Sequence, residues 1–153
     1  MQMTMRVHPE VERKRSFVHG PVRPYHVLLV EDDDEMRQML AQVLRRNGFQ
    51  VLEARDGFEG LDHLAELVLD EEFDRKFDLL LTDQRMPGFQ GLELIDAARL
   101  AGIDIPAILI TAFADDATRA RVRALGDTSV LGKPFEMSDL VMLARTVAHA
   151  ARS

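Results

Sequence analysis

The stretch Phe77–Gly88, FDLLLTDQRMPG, runs an almost wholly apolar segment straight into an aspartate and then breaks the chain with Met-Pro-Gly. Leu79, Leu80 and Leu81 gain by leaving water. A carboxylate at Asp83 pays to be buried unless something compensates its charge. Taken alone, Asp83 reads as a turn residue. Its neighbours along the chain point instead to a strand that delivers a carboxylate to a site.

Outward from this stretch the pattern repeats. YHVLLV (Tyr25–Val30), FQVLEA (residues 49–54), PAILIT (Pro106–Thr111) and TSVLG (residues 128–132) read as further buried strands. Between them apolar residues recur at helical spacing. Met36, Met39, Leu40, Val43 and Leu44 mark a first helix, closed near Gly48. Leu61, Leu64, Ala65 and Val68 mark a second, and Leu92, Ile95 and Ala98 a third. An Ala- and Arg-rich helix runs roughly from Asp116 to Leu125. A last one starts near Ser138 and offers Leu140, Leu143, Ala144, Val147 and Ala151 to the core. Strands apolar on both faces, alternating with helices, predict an α/β, doubly wound, five-stranded parallel sheet with five helices.

Ligands of such sheets bind beyond the carboxyl ends of the strands. Strand one ends in EDDDE (Glu31–Glu35), strand three in Asp83, strand four in Thr111-Ala112, and strand five in Lys133-Pro134; Glu53-Ala54 after strand two says less. Crowded carboxylates call for a cation, and hard oxygen ligands with open water positions suit Mg²⁺. A carboxylate beside Mg²⁺ can attack phosphorus, while a lysine and a hydroxyl stabilise the transferring group. Each residue also has a plainer role. Asp33 and Asp34 can cap the first helix, Asp34 being the one expected to do so. Thr111 can cap helix four, and Lys133-Pro134 can be a turn. Joint placement at four strand ends favours the chemical reading.

Composition narrows the class. The chain has 153 residues, 46% of them hydrophobic, and no Cys, which excludes disulfide and thiolate chemistry. No apolar run suits a membrane span or a signal peptide, so a cytoplasmic location is expected. Residues 1–24 hold five Lys or Arg against two Glu, a surplus of +3 that leaves −10 for the remainder of a chain of net −7. That remainder repels nucleic acid. The basic residues 1–24 read as an N-terminal extension, dispensable for phosphorylation, ahead of one domain over 25–153.

VLLVEDDDEMR, LLTDQRMPGFQGLEL, AILITAF and VLGKPF, in this order and spacing, resemble the receiver domain of two-component response regulators. The resemblance implies the flavodoxin-like strand order 2-1-3-4-5. It implies that Asp83 is the phospho-acceptor and that Asp32, Glu31 and the main-chain carbonyl of Arg85 join Asp83 in holding Mg²⁺. It makes Thr111 the switch hydroxyl and Lys133 the contact to Asp83 or its phosphate, often followed by a cis bond to proline, here Pro134. A sensor histidine kinase or phosphotransfer protein is the implied donor. A protein target, or a second copy, is the implied partner of the surface formed by helix four, strand five and helix five. The expected protein is a switch with slow self-dephosphorylation, not a turnover enzyme.

Two departures stand out. Where the family often carries Tyr or Phe, three residues before Lys133, this chain has Val130. The segment LVLDEEFDRKF between helix two and strand three is longer than usual and acidic at Asp70, Glu71 and Glu72. A receiver acting alone is expected, with a larger regulator as the alternative. A metal-dependent phosphohydrolase is less well supported. Such enzymes usually carry a second Asp two residues after the nucleophile, and here that residue is Arg85. A nucleotide-binding module lacks its glycine-rich loop.

Overall fold

A computed structural model of the chain describes residues 23–69 and 77–152. The expected extension before residue 23 and the acidic stretch at 70–76 lie outside the described residues. The elements alternate as the sequence predicts: β1 (His26–Val30), α1 (Asp34–Arg46), β2 (Gln50–Ala54), α2 (Gly57–Leu69), β3 (Leu79–Asp83), α3 (Gly91–Leu100), β4 (Ala107–Thr111), α4 (Asp116–Ala124), β5 (Thr128–Gly132) and α5 (Met137–Ala151). The strands form one parallel sheet in the order β2-β1-β3-β4-β5.

Alternation along each strand explains why the runs are apolar throughout. Val27, Leu29, Leu79, Leu81, Ile108 and Ile110 pack with Leu40, Ala41 and Leu44 of α1 and Leu140 and Ala144 of α5. Their neighbours Leu28, Val30, Leu80, Ala107 and Leu109 pack on the opposite face with Leu64 of α2, Leu94 and Ile95 of α3, and Val122 of α4. Both faces are covered, so both register positions of the central strands are largely apolar; the buried Thr82 satisfies its hydroxyl on the Asp83 carbonyl. β3 and β4 are buried end to end.

Three helix readings need correction. In α1 the buried stripe is Arg37, Leu40, Ala41 and Leu44, while Met39 is 42% exposed. A cation takes an inner position, and of the two methionines expected there only Met36 packs against the core. In α2, Leu64 is buried but Val68 is half exposed. In α5 the buried residues are Leu140, Val141, Ala144 and Ala148; Leu143 and Val147 flank that stripe and Ala151 is exposed. The 3.6-residue period puts 140, 144, 148 and 151 on one stripe, and Ala151 is exposed as the last residue of the helix. α4 buries Val122 alone of its own residues, so it is lightly held.

Candidate functional site

The carboxyl edge of the sheet gathers the strand-end residues. Glu31, directly after β1, is buried, and Asp32 beside it is exposed. Asp33 is the N-cap of α1: its backbone is extended and its Oδ1 accepts the Met36 N–H at 2.8 Å. This corrects the expectation that Asp34 caps. Asp34 lies in the first helical turn and pairs with Arg37 at 2.6 Å, because a residue three positions on shares its face.

Asp83 closes β3 and is 4% exposed. Its Oδ1 lies 2.8 Å from Lys133 Nζ. Lys133 follows β5, donates its main-chain N–H to the carbonyl of Thr111 at 2.8 Å, and precedes a cis bond to Pro134. Thr111 is buried at the end of β4, and its Oγ1 accepts the Phe113 N–H at 3.0 Å. It does not cap α4, which Asp115 does through the Thr118 N–H. Arg85 stands two residues after Asp83, with its guanidinium 4.3 Å from the centroid of the Phe113 ring. Val130 is half-buried, paired in register with Leu109 and packed on the α2–α4 side of the sheet.

Carboxylate oxygens of Glu31, Asp32 and Asp83 all lie within 4.8 Å of one another. One ammonium, Lys133, faces these three acids. Burial, and next the charge of Asp83, push the Glu31 carboxyl up to about 7, with Lys133 opposing. Hard oxygen donors with a surplus of negative charge fit a divalent cation such as Mg²⁺. They fit softer, nitrogen- or sulfur-seeking metals poorly.

The raised Glu31 group carries a pH signature. Its folded value lies above its ordinary 4.5. Its stabilising contribution is therefore complete below that value and is lost as pH rises through about 7. In metal-free buffer, the unfolding free energy of the wild type minus that of Glu31→Gln should fall between roughly pH 4.5 and 7, by about 1–3 kcal/mol. Urea titrations across that range give the number. A pH-independent difference would contradict the assignment.

Arg37 is a site residue that the apolar pattern missed. It is 7% exposed, donates from Nη1 to the Glu31 carbonyl at 3.0 Å, and reaches Glu53 Oε1 with Nε at 3.5 Å. It thus fixes the loop that carries Glu31 and Asp32. The signal was its spacing: Arg37 stands three, four and seven residues before Leu40, Ala41 and Leu44. Gly91 is a second. A Cβ there would meet the main-chain oxygen of Asp83 and sit 2.9 Å from Leu109 Cδ1.

A family model described as the response regulator receiver domain matches residues 27–145. The response regulator receiver protein CpdR of Brucella abortus is 36% identical over 115 residues, 75% of this chain and 89% of CpdR. The transcriptional regulatory protein CpxR of Escherichia coli is 35% identical over 121 residues, but the match spans only 48% of CpxR. Among solved structures, the Vibrio cholerae chemotaxis protein CheY4 superposes with a TM-score of 0.71 at 28% identity, over 81% of this chain and 98% of CheY4. The receiver domain of the hybrid histidine kinase CckA gives 0.63 at 30% identity, over 80% and 98%.

Proposed function

The chain belongs to the response regulator receiver domain family, and from that premise we propose that Asp83 is its phosphoryl acceptor. One observation carries the reading: a buried strand-end carboxylate, paired with Lys133 at 2.8 Å, shares a pocket with two further acids. A carboxylate oxygen of Asp83 attacks the phosphorus of a phosphohistidine donor. The P–O bond forms as the P–N bond breaks, and the imidazole leaves. The Lys133 ammonium passes from the carboxylate to a phosphoryl oxygen, and the Thr111 hydroxyl donates to another. Asp32 and Asp83, with Glu31 and the main-chain carbonyl of Arg85, would hold Mg²⁺, which supplies charge neutralisation for the transferring group.

The donor class is a sensor histidine kinase or a phosphotransfer protein. The phosphorylated state is read by a protein target or a second copy at the α4–β5–α5 face. The acidic character of the chain beyond residue 24 disfavours direct nucleic-acid binding. Among the described residues no helix is long and apolar enough to cross a membrane, in keeping with a cytoplasmic site of action. A receiver acting alone is favoured by the 89% coverage of CpdR. The chain spans about half of the larger regulator CpxR, and an output of that kind is the second reading, which the full reading frame tests.

A turnover assay separates the switch from a phosphohydrolase. With Mg²⁺, the chain should take up about one phosphoryl group from acetyl phosphate and leave p-nitrophenyl phosphate unhydrolysed. Sustained hydrolysis of the ester, many equivalents per chain, would overturn the switch reading.

The metal ligands have their own test. Asp32→Ala should weaken Mg²⁺ binding by about tenfold or more. Asp33→Ala should leave that affinity near wild type and lower stability by about 1 kcal/mol through loss of the cap. Equal Mg²⁺ affinities in calorimetric titration would refute this division.

A further inference from the structure

Arg85 lies two residues after Asp83, a member of the cluster of three acids, yet among the described residues it forms no ion pair with any carboxylate. Its guanidinium instead covers the ring of Phe113, which is 53% exposed. The two residues belong to different loops: Arg85 follows the acceptor, and Phe113 follows the hydroxyl. We infer that the Arg85–Phe113 stack is a latch that holds the resting switch and opens when Asp83 is phosphorylated, an inference that rests on the acceptor reading above.

The two sides of the latch differ in freedom. The Arg85 side is braced. Gln84 donates its N–H to Ile110 at 2.9 Å, accepts from Gly91 on its carbonyl at 3.2 Å, and accepts the Leu92 N–H on Oε1 at 2.8 Å. Met86, on the other side of Arg85, is buried. The Phe113 side is held by less: Ala112 and Phe113 are exposed, and the N–H of Phe113 is tied to Oγ1 of Thr111. A Thr111 side chain that rotates to donate its hydroxyl to a phosphoryl oxygen on Asp83 carries the acceptor of the Phe113 N–H with it, and the Phe113 backbone moves with the change. The braced backbone at Arg85 does not move with it, and the stack opens. Val130, stiff at χ1 and packed beside Leu109, has neither the length nor the space to carry such a movement. An exposed cation–π contact of this size biases the resting state by about two- to fivefold.

The test uses the full chain, uniformly ¹⁵N-labelled, with acetyl phosphate and Mg²⁺, and intact mass reports phosphoryl uptake in the same sample. The probe is the Nε–Hε signal of Arg85, identified by its disappearance in Arg85→Lys. In the resting protein the ring face should shift it upfield of the exposed Arg121 and Arg123 signals. On phosphorylation it should move towards them. Phe113→Leu should remove the upfield offset in both states, and Phe113→Trp should restore it. Phe113→Leu should also raise the phosphorylated-like population of the resting protein by two- to fivefold, read from the Thr111 amide shift. A resting Arg85 signal coincident with the free arginines overturns the latch. So does phosphoryl uptake that leaves the signal unmoved. Absence of uptake overturns the acceptor reading, and the latch's role with it.

Discussion

Asp83→Asn is expected to abolish phosphoryl uptake from acetyl phosphate while the protein stays folded. The amide lacks the nucleophilic oxygen pair that forms an acyl phosphate. The loss should exceed that of any other single change at the site, because the other residues act on the transfer and Asp83 is its terminus. Folding should survive for an electrostatic reason. The substitution removes the Lys133 partner, but Lys133 is a third exposed and can return to water. It also removes the neighbouring charge that helps to push up Glu31, so that carboxyl ionises more easily. Intact mass with and without donor reads the uptake, and thermal unfolding reads the fold. Full labelling of the variant would move the acceptor elsewhere in the chain.

Gly91→Ala should be the most destabilising of the substitutions considered, despite improving helix propensity. At the first residue of α3, alanine gains less than the roughly 1 kcal/mol it gains over glycine in a helix interior. Against that, its Cβ would collide with the main-chain oxygen of Asp83 and press Leu109 Cδ1 at 2.9 Å. Neither neighbour yields easily: one is backbone in the middle of a parallel sheet, the other a fully buried side chain. Overpacking of this kind costs about 1–3 kcal/mol or more, so the net loss should be about 2 kcal/mol. The strain also falls on Asp83, the proposed acceptor, so phosphoryl uptake should slow. Gly102→Ala is the comparison. It meets nothing within 4 Å but has φ +79, and so should lose only the roughly 1 kcal/mol of a left-handed conformation. Urea midpoints that rank Gly102→Ala below Gly91→Ala would reject the close-packing account.

These two residues show where the sequence is readable and where it is not. The run Leu79–Asp83 announced a buried strand ending in a carboxylate, since three leucines and an acid admit few other environments. Thr111 was legible for the same reason, ending a strand that is apolar up to that point, and Lys133 by its place directly after the short strand TSVLG. Gly91 was not, because its role depends on a carbonyl oxygen brought against it by the turn through Met86-Pro87-Gly88. Arg37 was hidden by the assumption that inner helix positions are apolar. It is buried because the Glu31 carbonyl, Asp34 and Glu53 surround its guanidinium. Arg99 was hidden likewise. It ties α3 to the carbonyls of Ile103, Ile105, Leu125 and Asp127, contacts that no local pattern predicts. The cap of α1 was misplaced by one residue because three consecutive aspartates suit that position equally in sequence. The Arg37 contact with Asp34 decides between them. The Arg85–Phe113 contact joins residues 28 positions apart through two loops, and only folding brings them together.

The acceptor role of Asp83 within its acidic cluster is tested most directly by the intact mass of the wild-type chain after incubation with acetyl phosphate, once with Mg²⁺ and once with a chelator. The cluster of Glu31, Asp32 and Asp83 requires uptake of one phosphoryl group with Mg²⁺ and little or none without it. No uptake in Mg²⁺, or equal uptake in both samples, would contradict it.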